Sequence, residues 1–353
     1  MFQRNFLVKS FHHFIFFISI LLLFFSISCH NTDNKSDKNA KDNENLSDTS
    51  SIEKKLANLN EKIKANPKNP DLFHERAILA LSQKDVNAAL EDMTRALSMD
   101  STKASYYITV ADVYFAANKT RFTKESLEKA ISLEPKNVEA ILKLAELYMF
   151  VEDYKKSIEN IDEVLKIDVT NPKAYFMKGM NFKALKDTAK AVSSFTTAIE
   201  QNPKYYECFM QLGLIFSAKH NKLALQYFNT AISLRSQSTE AYYGRGFFRQ
   251  ESGEFDQAIE DYNIILQIDP KYKYAHYNLG YLNYTNNKDY DKAIKNFSNA
   301  IASDPKYSDA YYMRALCLEA QGNKKAAADD FQNALNLDPE YDLADKGLKR
   351  VTK

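Results

Sequence analysis

The sequence predicts an all-α solenoid of eight helix-turn-helix repeats across residues 70–341, closed by a capping helix at each end. Three observations carry this. A pattern returns with a period near 34 residues, and a repeating array overrides the two-domain expectation that 353 residues would otherwise give. Small and large apolar residues recur at fixed places within each period. Eight glycines and eight prolines are few for this length, which suits long helices joined by short turns.

The N-terminal elements are an address and a spacer. Arg4 and Lys9 make a basic start with no acidic residue before Asp33, followed by a twelve-residue apolar stretch, Phe14 to Phe25. That is the length of a signal-peptide core, whereas a membrane-spanning helix needs roughly 20 apolar residues. Residues 1–28 are therefore read as a signal peptide. Its end, Ser26-Ile27-Ser28-Cys29, resembles the lipobox of bacterial lipoproteins, although Ser26 stands where leucine is most common. The resemblance implies cleavage before Cys29 and lipidation of that residue. Two alternatives stay open: an ordinary signal peptidase releasing a soluble periplasmic or secreted protein, and an uncleaved anchor over Phe11 to Ser28. Export follows from all three.

Residues 29–51 are expected to form a flexible tether. From His30 onward the stretch has no aromatic residue and two aliphatic ones, too little to offset the entropy of ordering it. Residues 52–69 follow as an N-terminal capping helix, with Ile52, Leu56, Leu59 and Ile63 at helical spacing and Asn66-Pro67 at its end.

The eight repeats are assigned to 70–103, 104–137, 138–171, 172–205, 206–238, 239–272, 273–307 and 308–341. Position 8 of each is small: Ala77, Ala111, Ala145, Gly179, Gly213, Gly246, Gly280 and Ala315. Position 20 is alanine in six repeats, with Thr123 and Ser157 as exceptions. Position 24 is large and apolar: Met93, Leu127, Ile161, Phe195, Phe228, Tyr262, Phe297 and Phe331. Small residues let two helices approach, and the large one fills the space between that pair and the next. Proline after the second helix cannot continue it, so it sets the turn. Ser101, Val169 and Ser236 replace that proline in repeats one, three and five. Repeat five is one residue short in its inner turn and repeat seven one long, which should loosen those turns. Residues 342–353 read as a polar, Lys-rich C-terminal capping helix. Arrays need such ends because terminal repeats would otherwise expose apolar faces.

This spacing resembles the tetratricopeptide-repeat (TPR) signature, W-x2-L-G-x2-Y…A-x3-F…P at a period of 34. The resemblance implies a right-handed superhelical solenoid whose concave groove binds other proteins. It also implies that positions 5, 9 and 12 of the first helices, four and seven residues apart, line that groove. In repeats four to eight those positions supply Phe176, Met180, Met210, Leu214, Tyr243, Phe247, Tyr277, Tyr281, Tyr284, Tyr312 and Leu316. Tyrosine and methionine give adaptable apolar contacts, and an extended apolar patch marks an interaction surface. The lysine and asparagine pairs with which some TPR cochaperones clamp a C-terminal carboxylate are missing.

No catalytic pattern emerges. His74, His220 and His276 stand far apart, and there is no HExxH, GxSxG, phosphate-binding loop or Cys/His cluster. Asp329-Asp330 is read as a solvated pair, and Cys208 and Cys317 as core residues too distant to bridge. A net charge of +1, from 47 basic and 46 acidic residues, argues against a nucleic-acid partner. Neither an enzymatic activity, a cofactor, a metal nor a small-molecule substrate is expected. The expected function is a protein-binding adaptor tethered to the bacterial cell envelope, taking an apolar helix or extended peptide. The alternative is a structural subunit of a larger outer-membrane or secretion complex. His30, not aspartate, follows Cys29, which favours the outer membrane.

Overall fold

In a computed structural model the described residues are 41–353, with side chains described from Ile52 onward. The expected signal peptide and the lipidation site at Cys29 lie outside them. Among the described residues every regular element is helical, as the repeat pattern demands. The chain divides into two compact units, one up to Glu152 and one from Asp153.

The first unit holds six helices: α1 (Lys41–Ala65), α2 (Pro70–Ser82), α3 (Val86–Met99), α4 (Ala104–Ala116), α5 (Thr120–Leu133) and α6 (Val138–Phe150). Three-residue links force α2/α3 and α4/α5 into antiparallel hairpins. Phe73 and Ala77 meet Ala89, Met93 and Ala96 of the paired helix and Tyr106, Val110 and Val113 of the next, forming one buried layer. A second layer joins Ala111, Leu127, Leu144 and Leu147. Helix α1 differs from expectation: it starts at Lys41, inside the stretch read as a tether. No glycine or proline interrupts residues 41–65, so nothing in the backbone stops the helix from running back beyond Ile52.

The second unit starts with α7 (Tyr154–Ile167) and continues in hairpins: α8 (Pro172–Ala184) with α9 (Thr188–Gln201), and α10 (Tyr206–Ala218) with α11 (Leu223–Leu234). Next come α12 (Thr239–Glu251) with α13 (Phe255–Ile268), and α14 (Lys273–Leu282) with α15 (Tyr290–Ser303). The last are α16 (Ser308–Ala320) with α17 (Lys324–Leu337), then α18 (Asp342–Thr352).

The turns explain why the period holds. Each inner turn places one residue in the left-handed region, and only two of these, Gly253 and Gly322, are glycine; Lys84, Lys186 and Lys288 are among the others. The next residue caps the second helix: Asp85, Asp187 and Asn323 accept from the backbone N–H three residues on, at 3.0, 3.1 and 3.2 Å. In the outer turns Asp269 and Asp304 accept the N–H two residues on, beyond the proline, at 2.9 Å each. Where proline is missing the same bond persists, from Thr102 to Asp100 at 2.9 Å and from Thr170 to Asp168 at 3.1 Å. In repeats one and three the aspartate bond therefore holds the turn without the proline, whereas repeat five, with Arg235 and Ser236, has neither residue.

The extra residue of repeat seven is also ordered. It is absorbed as a π-turn, Asn283–Asn287, at the end of α14. Asn283 donates to the Leu279 carbonyl at 2.8 Å and accepts from the Asp289 N–H at 2.9 Å.

Size complementarity decides the helix spacing. A Cβ on Gly179, Gly213 or Gly280 would lie 2.6, 2.7 or 2.8 Å from the ring of Phe195, Phe228 or Phe297. Where position 8 is alanine in the first three repeats, position 24 is the smaller Met93, Leu127 or Ile161. Phe331 follows a different solution: its ring presses on Gly347 of α18, where a Cβ would come within 2.5 Å. The last helix thus closes the unit by accommodating an aromatic ring. Cys208 and Cys317 are fully buried free thiols, and burial pushes both thiols upward in pKa.

Candidate partner-binding face

The first helices of the second unit's hairpins, α8, α10, α12, α14 and α16, carry ten of the eleven residues expected to line a groove, and the π-turn after α14 carries Tyr284. The structure splits them into two groups. Met180, Met210, Leu214, Tyr243, Phe247 and Tyr277 are buried, the two tyrosines at 1% and 2% exposure. Phe176, Tyr281, Tyr284, Tyr312 and Leu316 are half-buried. The eleven therefore do not form one open stripe.

A repeated aromatic wedge accounts for the burial of Tyr243 and Tyr277. The position-5 ring lies between the position-24 ring of its own hairpin and the tyrosine that ends the repeat. Phe176 sits 5.9 Å from Phe195 and 5.2 Å from Tyr205. Tyr243 sits 6.1 Å from Tyr262 and 5.9 Å from Tyr272. Tyr277 sits 5.5 Å from Phe297 and 5.1 Å from Tyr307, and Tyr312 sits 5.9 Å from Phe331 and 5.1 Å from Tyr341. Edge-on and tilted rings at these separations favour one another beyond simple area burial. Position 5 thus serves hairpin packing first. Burial drives the hydroxyl pKa of Tyr243 and Tyr277 upward, so both stay neutral.

The accessible remainder clusters on α14 and α16. Tyr281 stands on α14 and Tyr284 in the π-turn that follows it, and Tyr312 and Leu316 stand one turn apart on α16. Burial chiefly raises the Tyr284 pKa, with Cys317, Tyr290, Tyr312 and Glu319 adding smaller upward effects, which marks these groups as neighbours. Glu319 at the rim takes a two-point bond from Arg350 of α18, at 2.5 and 2.6 Å. The patch is thus aromatic with a neutralised edge.

A recurring charged tie within each unit is absent from the sequence reading. Arg76, Arg245 and Arg314, all at position 7, reach forward sixteen residues to Asp92, Asp261 and Asp330. Each also donates sixteen residues back, to Asn60, Asn229 and Ser298. One guanidinium therefore ties three consecutive helices. Asp261 takes a second arginine, Arg249, at 2.9 Å. The expectation that Asp330 is solvated is corrected: it is 4% exposed and fully engaged by Arg314. The recurring Arg/Asp spacing of sixteen was the available signal, since lysine or an apolar residue replaces the arginine in the repeats that lack the aspartate.

Lys183 stands at position 12 of the fourth repeat, on the stripe that the resemblance assigns to the groove. It is half-buried and donates to the Gln211 side-chain oxygen at 2.6 Å. Desolvation alone lowers its pKa to about 8. Among the histidines, His74 pairs with the Thr109 hydroxyl at 2.7 Å and His276 with the Pro270 carbonyl at 3.0 Å.

Comparison with known families decides the nature of the array. The tetratricopeptide repeat matches residues 138–170, 172–205 and 286–342, and a further TPR repeat matches 249–287. The chain carries tetratricopeptide repeats.

The TPR fold recurs in solved structures. The C-terminal part of a TPR repeat-containing protein from Cytophaga hutchinsonii superimposes with a TM-score of 0.58 at 19% identity, covering 68% of this chain and 98% of that one. PilW, a type IV pilus biogenesis factor, gives 0.51 at 21% identity, covering 62% and 99%. A TPR protein from Parabacteroides merdae gives 0.50 at 18% identity, covering 71% and 99%. At such identities the likeness concerns the fold alone. Among curated proteins, the UDP-N-acetylglucosamine–peptide N-acetylglucosaminyltransferase of Giardia intestinalis is 38% identical over 77 residues. That stretch is 22% of this chain and 5% of the enzyme, so the chain spans a small part of that relative. Among the described residues, no helix is long and apolar enough to cross a membrane.

Proposed function

We propose that this protein is a non-catalytic TPR scaffold that binds another protein, taking an apolar helix or extended segment on the face of α14 and α16. The accessible Tyr281, Tyr284, Tyr312 and Leu316 carry this reading. Tyr281, Tyr284 and Leu316 take no part in the wedges, and Tyr312 completes one while keeping part of its surface exposed. Tyrosines offer large, stiff contact area with few groups needing a fixed partner. TPR arrays in general serve as protein-interaction scaffolds, and the match to the glycosyltransferase covers only a repeat-length stretch of it.

The test is a double variant, Tyr281→Ala with Tyr312→Ala, in the full chain. Recovery of crosslinked partners from the native cells should fall while helical content is unchanged. Unchanged recovery sinks the reading.

The envelope part of the proposal rests on the N-terminal sequence. Lipid on Cys29 would hold the array at a bacterial membrane, the outer one by the residue that follows. Cys29→Ala should move the protein from the membrane to the soluble fraction; equal fractionation of both forms removes the anchor. A second reading, as a structural subunit of a larger envelope assembly, draws on the burial of six of the eleven stripe residues, which leaves a modest docking area. The name of PilW, a pilus biogenesis factor of the same fold, is in keeping with it. Fractionation with a large complex, instead of as a separate array, distinguishes the two.

A further inference from the structure

Four basic side chains on the second unit's first helices follow one rule. Lys178 reaches Asp162 at 2.7 Å, Arg245 reaches Asp261 at 2.6 Å, Lys273 reaches Asp304 at 2.5 Å and Arg314 reaches Asp330 at 2.7 Å. All four are partly withdrawn from water, and each has a carboxylate. A cation drawn into a low-dielectric site without its counter-charge is costly, so this pairing is what stability requires.

Lys183 breaks the rule. Its ammonium donates to a neutral amide oxygen, that of Gln211, which is itself 1% exposed. No carboxylate lies within ion-pair distance among the described residues, and no charged group is close enough to shift its titration. Met180, one turn before it on α8, and Leu214, one turn beyond Gln211 on α10, add apolar flanks. A methionine or leucine here would spare the desolvation of a cation, yet the position holds lysine on the stripe that the sequence assigns to ligand contact. Gln211 holds the ammonium in place without neutralising it, and leaves two of its N–H donors uncommitted.

We infer that Lys183 is the receptor for one carboxylate of the bound partner, an aspartate or glutamate side chain set within an otherwise apolar segment. The inference rests on the reading of the array as a scaffold that binds a peptide segment, and adds an acidic contact on α8, apart from the α14–α16 face. An internal acidic side chain fits better than a chain end. One ammonium is a point charge that matches one carboxylate on a short stem, and no second basic group adjoins it to hold both oxygens of a rigid terminus. On binding, the carboxylate would supply the missing counter-charge, in a site where water is already partly excluded.

The test is peptide display against the full chain and against Lys183→Met. Two random libraries are used, one with the peptide's C-terminus fused and one with it free. Wild type should enrich fused peptides with one Asp or Glu at a constant place among apolar residues. Lys183→Met should keep the apolar preference and lose the acidic one. A synthetic, C-amidated peptide from the selection should bind Lys183→Met at least about tenfold more weakly. Its Glu→Gln form should lose the same amount on wild type, and the two changes together no more than either alone. Apolar peptides without an acidic position, an unchanged preference in Lys183→Met, or acid selected only at a free C-terminus would each overturn the inference. Enrichment of no peptide from either library defeats the peptide-binding reading, and the inference falls with it.

Discussion

Arg314 and Asp330 form a two-point pair sixteen residues apart: Nε donates to Oδ2 at 2.7 Å and Nη2 to Oδ1 at 2.8 Å. The same guanidinium turns its remaining edge to Ser298 of the previous hairpin at 2.9 Å. The pair therefore sets the distance within one hairpin and to its neighbour together. Removing one side strands a charge that the helices have largely desolvated.

Arg314→Met should lower stability by on the order of 3 kcal/mol, because Asp330 has no other basic partner among the described residues. Arg245→Met should cost less, since Asp261 keeps Arg249. Urea titrations followed by circular dichroism check the order. Equal losses would show that the second arginine does not compensate.

The glycines at position 8 are predicted to be spatial, not conformational, requirements. Gly280→Ala places a Cβ 2.8 Å from the buried Phe297 ring and should cost about 1–3 kcal/mol. Adding Phe297→Leu should recover part of that loss. A neutral Gly280→Ala would mean that the hairpin can spread without penalty.

The inner turns hold a reserve of stability. Lys186 has φ of 62°, where a side chain is disfavoured by about 1–2 kcal/mol. Lys186→Gly should raise stability by roughly 0.5–1 kcal/mol after the greater freedom of glycine in the unfolded chain is subtracted. Gly322→Ala, at φ of 81°, should move the melting temperature the opposite way.

Much of this was legible in the sequence, for a physical reason. Helix pairing needs a small residue opposite a large one, and Gly280 with Phe297 states that rule in the chain itself. The turn aspartates were legible only as a flanking motif, while the structure shows them outlasting the prolines. Burial of the stripe was not legible. Tyr243 and Tyr281 are both tyrosines on first helices, and what separates them is the Tyr272 ring, which arrives from the end of the repeat and covers only the former. Asp330 looked like half of a solvated pair because its partner is sixteen residues away on another helix. The π-turn after Leu282 depends on how one extra residue is distributed, which spacing alone leaves open.

Lys183 gives the fold a pH signature. Its pKa is about 8 in the folded chain against an ordinary 10.5. Between those values the unfolded chain binds more protons, so stability rises as pH rises through that window; below it, both states are protonated and the cost of the buried charge is constant. Burial of the Cys208 and Cys317 thiols acts the other way, since both ionise in the unfolded chain over this range, but it does so equally in a Lys183→Met variant. In thermal unfolding between pH 8 and about 9, the wild type should therefore gain stability relative to Lys183→Met as pH rises, and equal slopes would argue that Lys183 stays solvated.

The central claim is that the α14–α16 face receives a protein. The most direct measurement places a photo-crosslinking residue at Tyr281, and in a separate variant at Lys295 on the exposed side of α15, in the full-length protein expressed in its native cells. A discrete adduct from position 281, absent from position 295 and diminished by Tyr312→Ala, is the predicted result. Adducts of equal yield from both positions, or none from position 281, would contradict it.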